Sequence, residues 1–233
     1  IAGDHLPQSL RERLDGLWRP GTTLKVNLAL RDLPRLSGHP AAASPPWGAT
    51  VHLIPDADAR PLDALRRMWE EVRRGTLPDF PTMEWYVHTT VDPSLQDPSG
   101  HHSSALFVQS VPSTPAGTTW QEAAEPYAHH LLSVVDRFAP GTSGLVADML
   151  TLPPPTIEDR FGISGGHIHH VDNTVAFSDR MPYATGLPGL YAGSAGCHPA
   201  GSVIGAAGWN SARRMLADLG QRSTGLQMTG GAD

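Results

Sequence analysis

Residues 189–208 read Gly-Leu-Tyr-Ala-Gly-Ser-Ala-Gly-Cys-His-Pro-Ala-Gly-Ser-Val-Ile-Gly-Ala-Ala-Gly. This stretch predicts a short apolar strand at 190–192, a glycine-rich turn at 193–205, and a helix at 206–219 stopped by Gly220. The N-terminus of such a helix presents unpaired N–H groups and a positive dipole end, which suit a phosphate or another electron-rich group. The turn is not a GxGxxG fingerprint, and none occurs in the chain, so an ordinary connecting turn remains an alternative.

Upstream of this stretch, the apolar pattern predicts a strand-rich layer with separate helices. Residues 24–30 alternate apolar with small or polar side chains, which is typical of a half-buried strand. Thr119 and Glu122 predict a capping box for a helix to Phe138, with Pro126 bending or interrupting its first turns. Further strands are predicted at 50–54, 84–91 and 103–111, and further helices at 7–17 and 62–74. The pattern predicts an α+β fold with a mixed or antiparallel sheet rather than βαβ units.

Composition and charge make some classes of binding partner and of cellular environment unexpected. The net charge is −6 and the 17 basic residues are scattered, so neither nucleic acid nor an anionic membrane surface is an expected partner. No apolar run approaches the roughly 18 residues that a membrane span needs, and no integral span is predicted. The single cysteine, Cys197, excludes an internal disulfide framework and is consistent with a reducing compartment, so a cytoplasmic location is expected.

The glycine-rich stretch resembles the C-terminal flavin-closing motif of the phytoene-desaturase-like branch of FAD-dependent oxidoreductases. Five further blocks match that branch in order along the chain: residues 25–30, 90–95 with 104–109, 139–141, 151–155 and 161–166. Within the branch, the chain is most similar to the pyridine-nucleotide-disulfide-oxidoreductase-domain-2-like proteins. The ordered matches extend from about Leu6 to Leu219, which makes the resemblance specific.

The resemblance implies a domain organisation with FAD as the cofactor. Residues 1–160 are expected to form a substrate-binding domain, and 161–220 the flavin-closing segment of a Rossmann-like FAD domain. Residues 221–233 are expected to be a flexible tail. The N-terminal Rossmann half, which in the family holds the ADP part of FAD, is expected as a separate chain or a missing segment. This chain then corresponds to the C-terminal half of the enzyme.

The resemblance also implies a set of cofactor-binding residues: Gly193, Ser194, Ala195, His198, Ser202, Val203, Ile204 and Gly205. The first three are expected to approach the ribityl and pyrophosphate groups. The backbone of the last three is expected against the pyrimidine edge of the isoalloxazine, where a helix N-terminus stabilises negative charge at N1 and O2. Ser202 and Ala200 replace glycines of the family, so a slightly different turn is expected.

Two residues are predicted to act on the substrate side of the flavin. Lys25 is the only lysine in a chain with sixteen arginines. In the related amine oxidases, a lysine on the corresponding strand reaches flavin N5 through a water, and a buried Lys can give up a proton whereas Arg cannot. A solvated lysine on the polar face of a strand is the alternative. His170 matches a histidine of the family in a segment near the substrate.

Other histidines and the cysteine suggest alternatives to flavin chemistry. His167 and His169 have a spacing that a metal can use, but no cysteine pair, HExxH motif or carboxylate cluster accompanies them, so no metal site is predicted. Both are departures from the family pattern and bear first on substrate choice. Cys197 and His198 are adjacent, yet neighbours on a turn rarely face each other, so a packed or flavin-contacting role is favoured over a nucleophile pair.

The predicted function is hydride transfer from a small or medium-sized organic substrate to flavin N5, with the protein supplying orientation and electrostatics. Desaturation of a C–C bond, oxidation of an alcohol or amine, and isomerisation all remain open. The alternative is a flavin-free binding or scaffolding module related to the substrate domain. A collapsed or occluded turn at 193–205 would favour that alternative.

Overall fold

A computed structural model describes residues 3–39, 48, 50–55, 60–201 and 203–228. The chain is divided into two compact units. Pro20–Gly166 form the first, named the sheet unit. The residues up to Arg19 and those from His167 onward form the second, named the turn unit. Ser202, predicted to bind the cofactor, lies outside the described residues.

The sheet unit is built on five strands. In chain order they are β1 (Leu24–Leu30), β2 (Val51–Leu53), β3 (Met83–Val87), β4 (His102–Val108) and β5 (Val146–Leu152). Their order across the sheet is β2-β3-β4-β1-β5, and each neighbouring pair is antiparallel. The predicted α+β class is confirmed, and the sheet formed by the described residues is antiparallel throughout.

Six α-helices occur among the described residues: α1 (Gln8–Leu17), α2 (Pro61–Arg73), α3 (Trp120–Asp136), α4 (Thr142–Leu145), α5 (Pro154–Phe161) and α6 (Ala206–Met228). The first and last belong to the turn unit, and the other four to the sheet unit. The three helices predicted upstream of the glycine-rich stretch are present, with ends that differ by at most two residues. Across the described residues, none of the helices has the length and apolar character needed to cross a bilayer.

The hydrophobic core of the sheet unit contains one face of the sheet and α3. Every second residue of β1, from Leu24 to Leu30, is buried, because successive side chains of a strand point to opposite faces. Trp85 of β3 and Leu131 of α3 are fully buried in the same cluster. Burial of each such side chain contributes about 1.5–3 kcal/mol, so α3 holds this face of the sheet away from water.

The start of α3 has the capping box that Thr119 and Glu122 predict. The Thr119 hydroxyl accepts a hydrogen bond from the backbone N–H of Glu122, and the Glu122 carboxylate accepts one from the backbone N–H of Thr119. Pro126 lies inside the helix, which nevertheless continues to Asp136. The predicted capping box is confirmed, and the helix is not interrupted at the proline.

Two features of the sheet differ from expectation. The strand predicted at 84–91 ends at Val87 and is followed by a 3-10 turn at His88–Thr90. The edge strand β5 was not predicted, because Val146, Met149, Leu150 and Leu152 do not alternate regularly with polar residues. Hydrogen-bonded pairing with β1 stabilises β5 as a strand, although its residue pattern does not predict one.

The strand–turn–helix prediction for the glycine-rich stretch is only partly right. No strand forms at 190–192: one isolated antiparallel bridge joins Tyr191 to Ala184, since no described strand lies alongside to continue the ladder. The helix begins at Ala206 as predicted but runs through Gly220 to Met228. A single glycine disfavours a helix by only about 1 kcal/mol, which does not end one. Residues 221–228, predicted as part of a flexible tail, are therefore helical.

The first helix belongs with the C-terminal residues rather than with the sheet. The Arg13 guanidinium donates hydrogen bonds to the backbone carbonyls of residues 178–180. A Cβ added at Gly186 would lie 2.7 Å from Cγ of Pro7, so the two segments are in close contact. The compact units therefore differ from the predicted division after residue 160. The functional assignment of each part stays a prediction.

Candidate functional site

The glycine-rich turn is exposed where the cofactor was predicted to lie. Six of the predicted cofactor-binding residues are exposed: Gly193, Ser194, His198, Val203, Ile204 and Gly205. Ala195 is half-buried. Val203 has φ of +56°, which is unusual for a β-branched residue, and Gly205 has φ of +70°. The chain thus enters α6 through a turned, open backbone rather than through a collapsed loop.

Contacts with α6 anchor this turn. A Cβ added at Gly193 would lie 3.3 Å from both Cα of Gly208 and Cβ of Ser211, so the turn rests directly on the first turns of the helix. The Asn210 amide donates to the Tyr183 hydroxyl over 3.0 Å, and that hydroxyl donates to the His198 carbonyl over 2.6 Å. The close packing at Gly193 and the two hydrogen bonds of the Tyr183 hydroxyl together hold the turn in place.

His170 lies in the segment beside the turn. A methyl group of Val171 would lie 3.8 Å from a Cβ at Gly196, which brings the segment against the turn. His170 is exposed and has φ of +60°. Burial lowers the pKa of His169, and the neighbouring His167 adds to that effect. His167 Nε2 lies 3.6 Å from a carboxylate oxygen of Asp172.

A buried arginine supports the same segment, and no residue pattern predicted it. Arg180 is 2% exposed, and its guanidinium donates to the carbonyls of Val171 and Asp172 and to the Asn173 side chain over 3.3–3.5 Å. Its Nε is buried without a hydrogen-bond partner among the described residues. The arginine thereby fixes the loop that follows His170.

The metal and nucleophile alternatives gain no support from the geometry. Within the described residues, no three His, Cys, Asp or Glu side chains are grouped so that they could hold a metal ion. Cys197 is fully buried, and burial raises the pKa of its thiol. His198 is exposed, and its ring packs edge-on to Phe177 at 4.9 Å between centroids.

In the sheet unit, Lys25 lies on the face opposite the core. Its Nζ is 5.0 Å from the ring centroid of Tyr86 and 5.7 Å from that of Phe107. Partial burial lowers the pKa of the Lys25 ammonium, and the Glu84 carboxylate offsets part of this effect. The Lys25 amine is therefore easier to deprotonate than a solvated lysine.

The residues around Lys25 form a polar cluster that sequence reasoning missed. The Tyr86 hydroxyl donates to Glu84, and burial followed by this hydrogen bond raises the pKa of Tyr86 to about 12. The His88 ring stacks on Tyr86, with centroids 5.8 Å apart and planes at 18°. Burial and then the Lys25 charge lower the pKa of His88. The available signal was the spacing of residues 84, 86 and 88, which places them on one face of a strand.

The predicted site residues thus fall in two groups. The glycine-rich turn and His170 come together within the turn unit. Lys25 belongs to the sheet unit, where its neighbours are Glu84, Tyr86 and His88. The roles predicted for all of these residues stay predictions.

The known proteins that are similar to this chain match it over most of its length. No family model matches it. The chain is 31% identical over 229 residues to the mouse protein named pyridine nucleotide-disulfide oxidoreductase domain-containing protein 2, and 30% identical over 223 residues to its rat counterpart. An uncharacterized protein of Mycobacterium tuberculosis is 27% identical over 225 residues, covering 87% of this chain and 41% of that protein.

The two mammalian matches cover most of this chain but a minor part of each relative. Each covers 92% of this chain but only 38% of the relative, so the chain spans about two fifths of the length of these proteins. Over nearly its whole length, the chain is therefore similar to a part of pyridine nucleotide-disulfide oxidoreductase domain-containing protein 2 of mouse and rat.

Proposed function

We propose that this chain is the C-terminal half of an FAD-dependent oxidoreductase of the phytoene-desaturase-like branch. The observation that carries the proposal is the backbone ahead of α6, which is exposed at Gly193, Ser194 and residues 203–205 and packs on the helix at Gly193. The names of the mammalian relatives, which contain the term pyridine nucleotide-disulfide oxidoreductase, support the general class. The remaining half, with its Rossmann domain, is proposed as the partner that holds the ADP part of FAD.

The residues present fit one edge of a flavin. Val203 and Ile204 are exposed by 107% and 71%, and they immediately precede the first turn of α6. The first N–H groups of a helix have no intrahelical partner, so they can donate to an electron-rich edge that approaches there. A Cβ at Gly193 would make a tight contact of 3.3 Å with α6, so glycine lets the turn lie close to the helix start.

In this proposal FAD, when bound, would supply a hydride acceptor at N5, and the residues of this chain would support that chemistry in three ways. The N-terminus of α6 stabilises negative charge at the pyrimidine edge. Within the sheet unit, the Lys25 amine, with its lowered pKa, would be the group that gives up or takes a proton. His170, exposed beside the turn, contacts the organic substrate.

The proposal is tested by isolating the tagged chain from its own host and recording native mass spectra and visible absorbance. We expect one FAD per complex, a second polypeptide or a longer chain carrying the Rossmann half, and flavin bands near roughly 450 nm that bleach with substrate. A colourless 233-residue chain that travels alone and binds no added FAD would instead support the flavin-free binding module.

A further inference from the structure

We propose that the side-chain amine of Lys25 is a covalent site for uncharged aromatic aldehydes, which it captures as an imine beside the rings of Tyr86 and Phe107. In this step the neutral amine adds to the carbonyl carbon, the carbonyl oxygen leaves as water, and a C=N bond to Nζ forms without any change of oxidation state. All three residues belong to the sheet unit. The inference does not rest on the proposed function, since imine formation needs no flavin.

The strand register brings the amine beside two aromatic rings. Lys25 of β1 is directly opposite Phe107 of β4, and Phe107 is in turn opposite Glu84 of β3. The Lys25 Nζ lies 5.0 Å from the ring centroid of Tyr86 and 5.7 Å from that of Phe107. Aromatic rings attract each other at centroid separations of about 4.5–7 Å. An aryl group joined to Nζ through a single carbon therefore comes within reach of both rings.

The amine is available for reaction. Among the described residues, the Lys25 Nζ forms no salt bridge and donates no hydrogen bond, so its contacts there are with the two rings. Lys25, Tyr86 and Phe107 are half-buried rather than buried, so a small molecule can approach this part of the sheet from solvent. A lysine in partly apolar surroundings is the usual kind of imine-forming residue in proteins.

The surroundings favour the uncharged amine, which is the nucleophile. Burial lowers the pKa of the Lys25 ammonium, and the Glu84 carboxylate offsets part of this effect. That carboxylate is held by hydrogen bonds from the Tyr86 hydroxyl and the Gln109 amide. Burial and then the bond to Glu84 raise the pKa of Tyr86 to about 12, so the phenol adds no second negative charge at pH 7. The Glu84 charge repels an anionic aldehyde, which leaves uncharged aldehydes as the expected class.

Competition between two lysines in one chain tests the proposal. Lys25 is the only lysine, so Arg73→Lys adds one reference amine at an exposed position of the same unit. This variant is treated at pH 7 with 2-naphthaldehyde or with propanal, the imines are reduced with cyanoborohydride, and peptide mass spectrometry measures the adduct at each lysine. We expect more adduct at Lys25 than at position 73. The ratio of the two should be at least about threefold higher for naphthaldehyde than for propanal, because only the aryl group can pack on the rings.

A matched pair of variants tests the role of the rings. Phe107→Leu, made together with Arg73→Lys, should lower the preference for naphthaldehyde at Lys25, because it removes one ring and keeps an apolar side chain. Phe161→Leu, at a position of the same unit that is 56% exposed, should leave the preference unchanged.

A further measurement uses the wild-type chain and does not depend on a variant folding. Unfolding in guanidinium chloride should reduce the naphthaldehyde adduct at Lys25 at pH 7, because the solvated amine is more protonated and has lost its rings. Equal ratios for the two aldehydes, a yield at Lys25 no higher than at position 73, or an unchanged yield on unfolding overturns the proposal. Failure of the chain to bind FAD changes none of these results, so the two proposals fail separately.

Discussion

At the scale of single residues, Lys25 is the central charged group on the polar face of the sheet. Its ammonium stands over the rings of Tyr86 and Phe107, and its charge acts on His88 as well. Its being the single lysine among sixteen arginines was one of the features that marked this position in the chain. The structure adds the reason that the residue type matters, since a partly buried ammonium can lose its proton and a guanidinium does not.

Replacing Lys25 by Met should raise the pKa of His88 toward its ordinary value of 6.5, because the neighbouring positive charge is removed. The value should stay below 6.5, since burial is the larger cause of the depression. Lys25→Arg keeps the charge and should leave the pKa of His88 low. Histidine-selective NMR titration measures both variants, and equal titration of the Met and Arg variants would contradict this account.

The same shift has a consequence for stability. Well above pH 6.5, His88 is neutral in both the folded and the unfolded chain and contributes no pH dependence. As the pH falls below 6.5, the unfolded chain takes up this proton before the folded chain does, so folding becomes less favourable. Among the described residues, Lys25 and Tyr86 act on this ring, and Asp92 lines the same surface cleft as His88.

At the scale of elements, the packing of α3 on the sheet holds the sheet unit together. The helix buries Leu131 completely in a cluster that also contains the alternate residues of β1. Its capping box fixes where the helix starts, and therefore which residues face the sheet. The polar cluster around Lys25 lies on the opposite face of the sheet.

Leu131→Ala should lower the free energy of unfolding of the sheet unit by about 2–5 kcal/mol, because it leaves a cavity in a close-packed core. Leu62→Ala, in α2 of the same unit at 68% exposure, is the matched control and should change it by about 0.5 kcal/mol or less. Urea unfolding followed by tryptophan fluorescence compares the two. A similar loss in both variants would show that α3 is not the main cover of this sheet face.

At the scale of the whole molecule, the chain consists of two units that carry different parts of the proposed chemistry. The turn unit offers the helix start and the exposed residues before it, and the sheet unit offers Lys25 and the polar side chains around it. The chain also spans only about 38% of its mammalian relatives. Activity is therefore a property to be tested on the complete complex.

In a flavin-containing complex, Ile204→Asp should lower the flavin reduction potential, because a carboxylate beside the start of α6 opposes the negative charge gained on reduction. Ile204→Lys should raise the potential for the opposite reason. The residue is 71% exposed, so neither change should disturb the fold. Spectroelectrochemical titration measures the two potentials. Equal values in both variants would place the flavin edge away from this helix.

The residue pattern determined those elements whose order is local. β1 alternates regularly, α3 carries its capping box, and α6 begins after a run of glycines; each was predicted because near neighbours in the chain decide it. A glycine-rich turn ahead of α6 was likewise predicted from its residues.

The tertiary structure alone decided the features that depend on distant partners. β5 exists because β1 pairs with it, and the strand expected at 190–192 is absent because no described strand continues its ladder. α1 joins the C-terminal residues through Arg13, some 165 positions away in sequence. Likewise, the burial of His88 Nδ1 and the hydrogen bond of that ring to the Ser103 backbone depend on neighbouring segments, which a single strand's residues cannot specify.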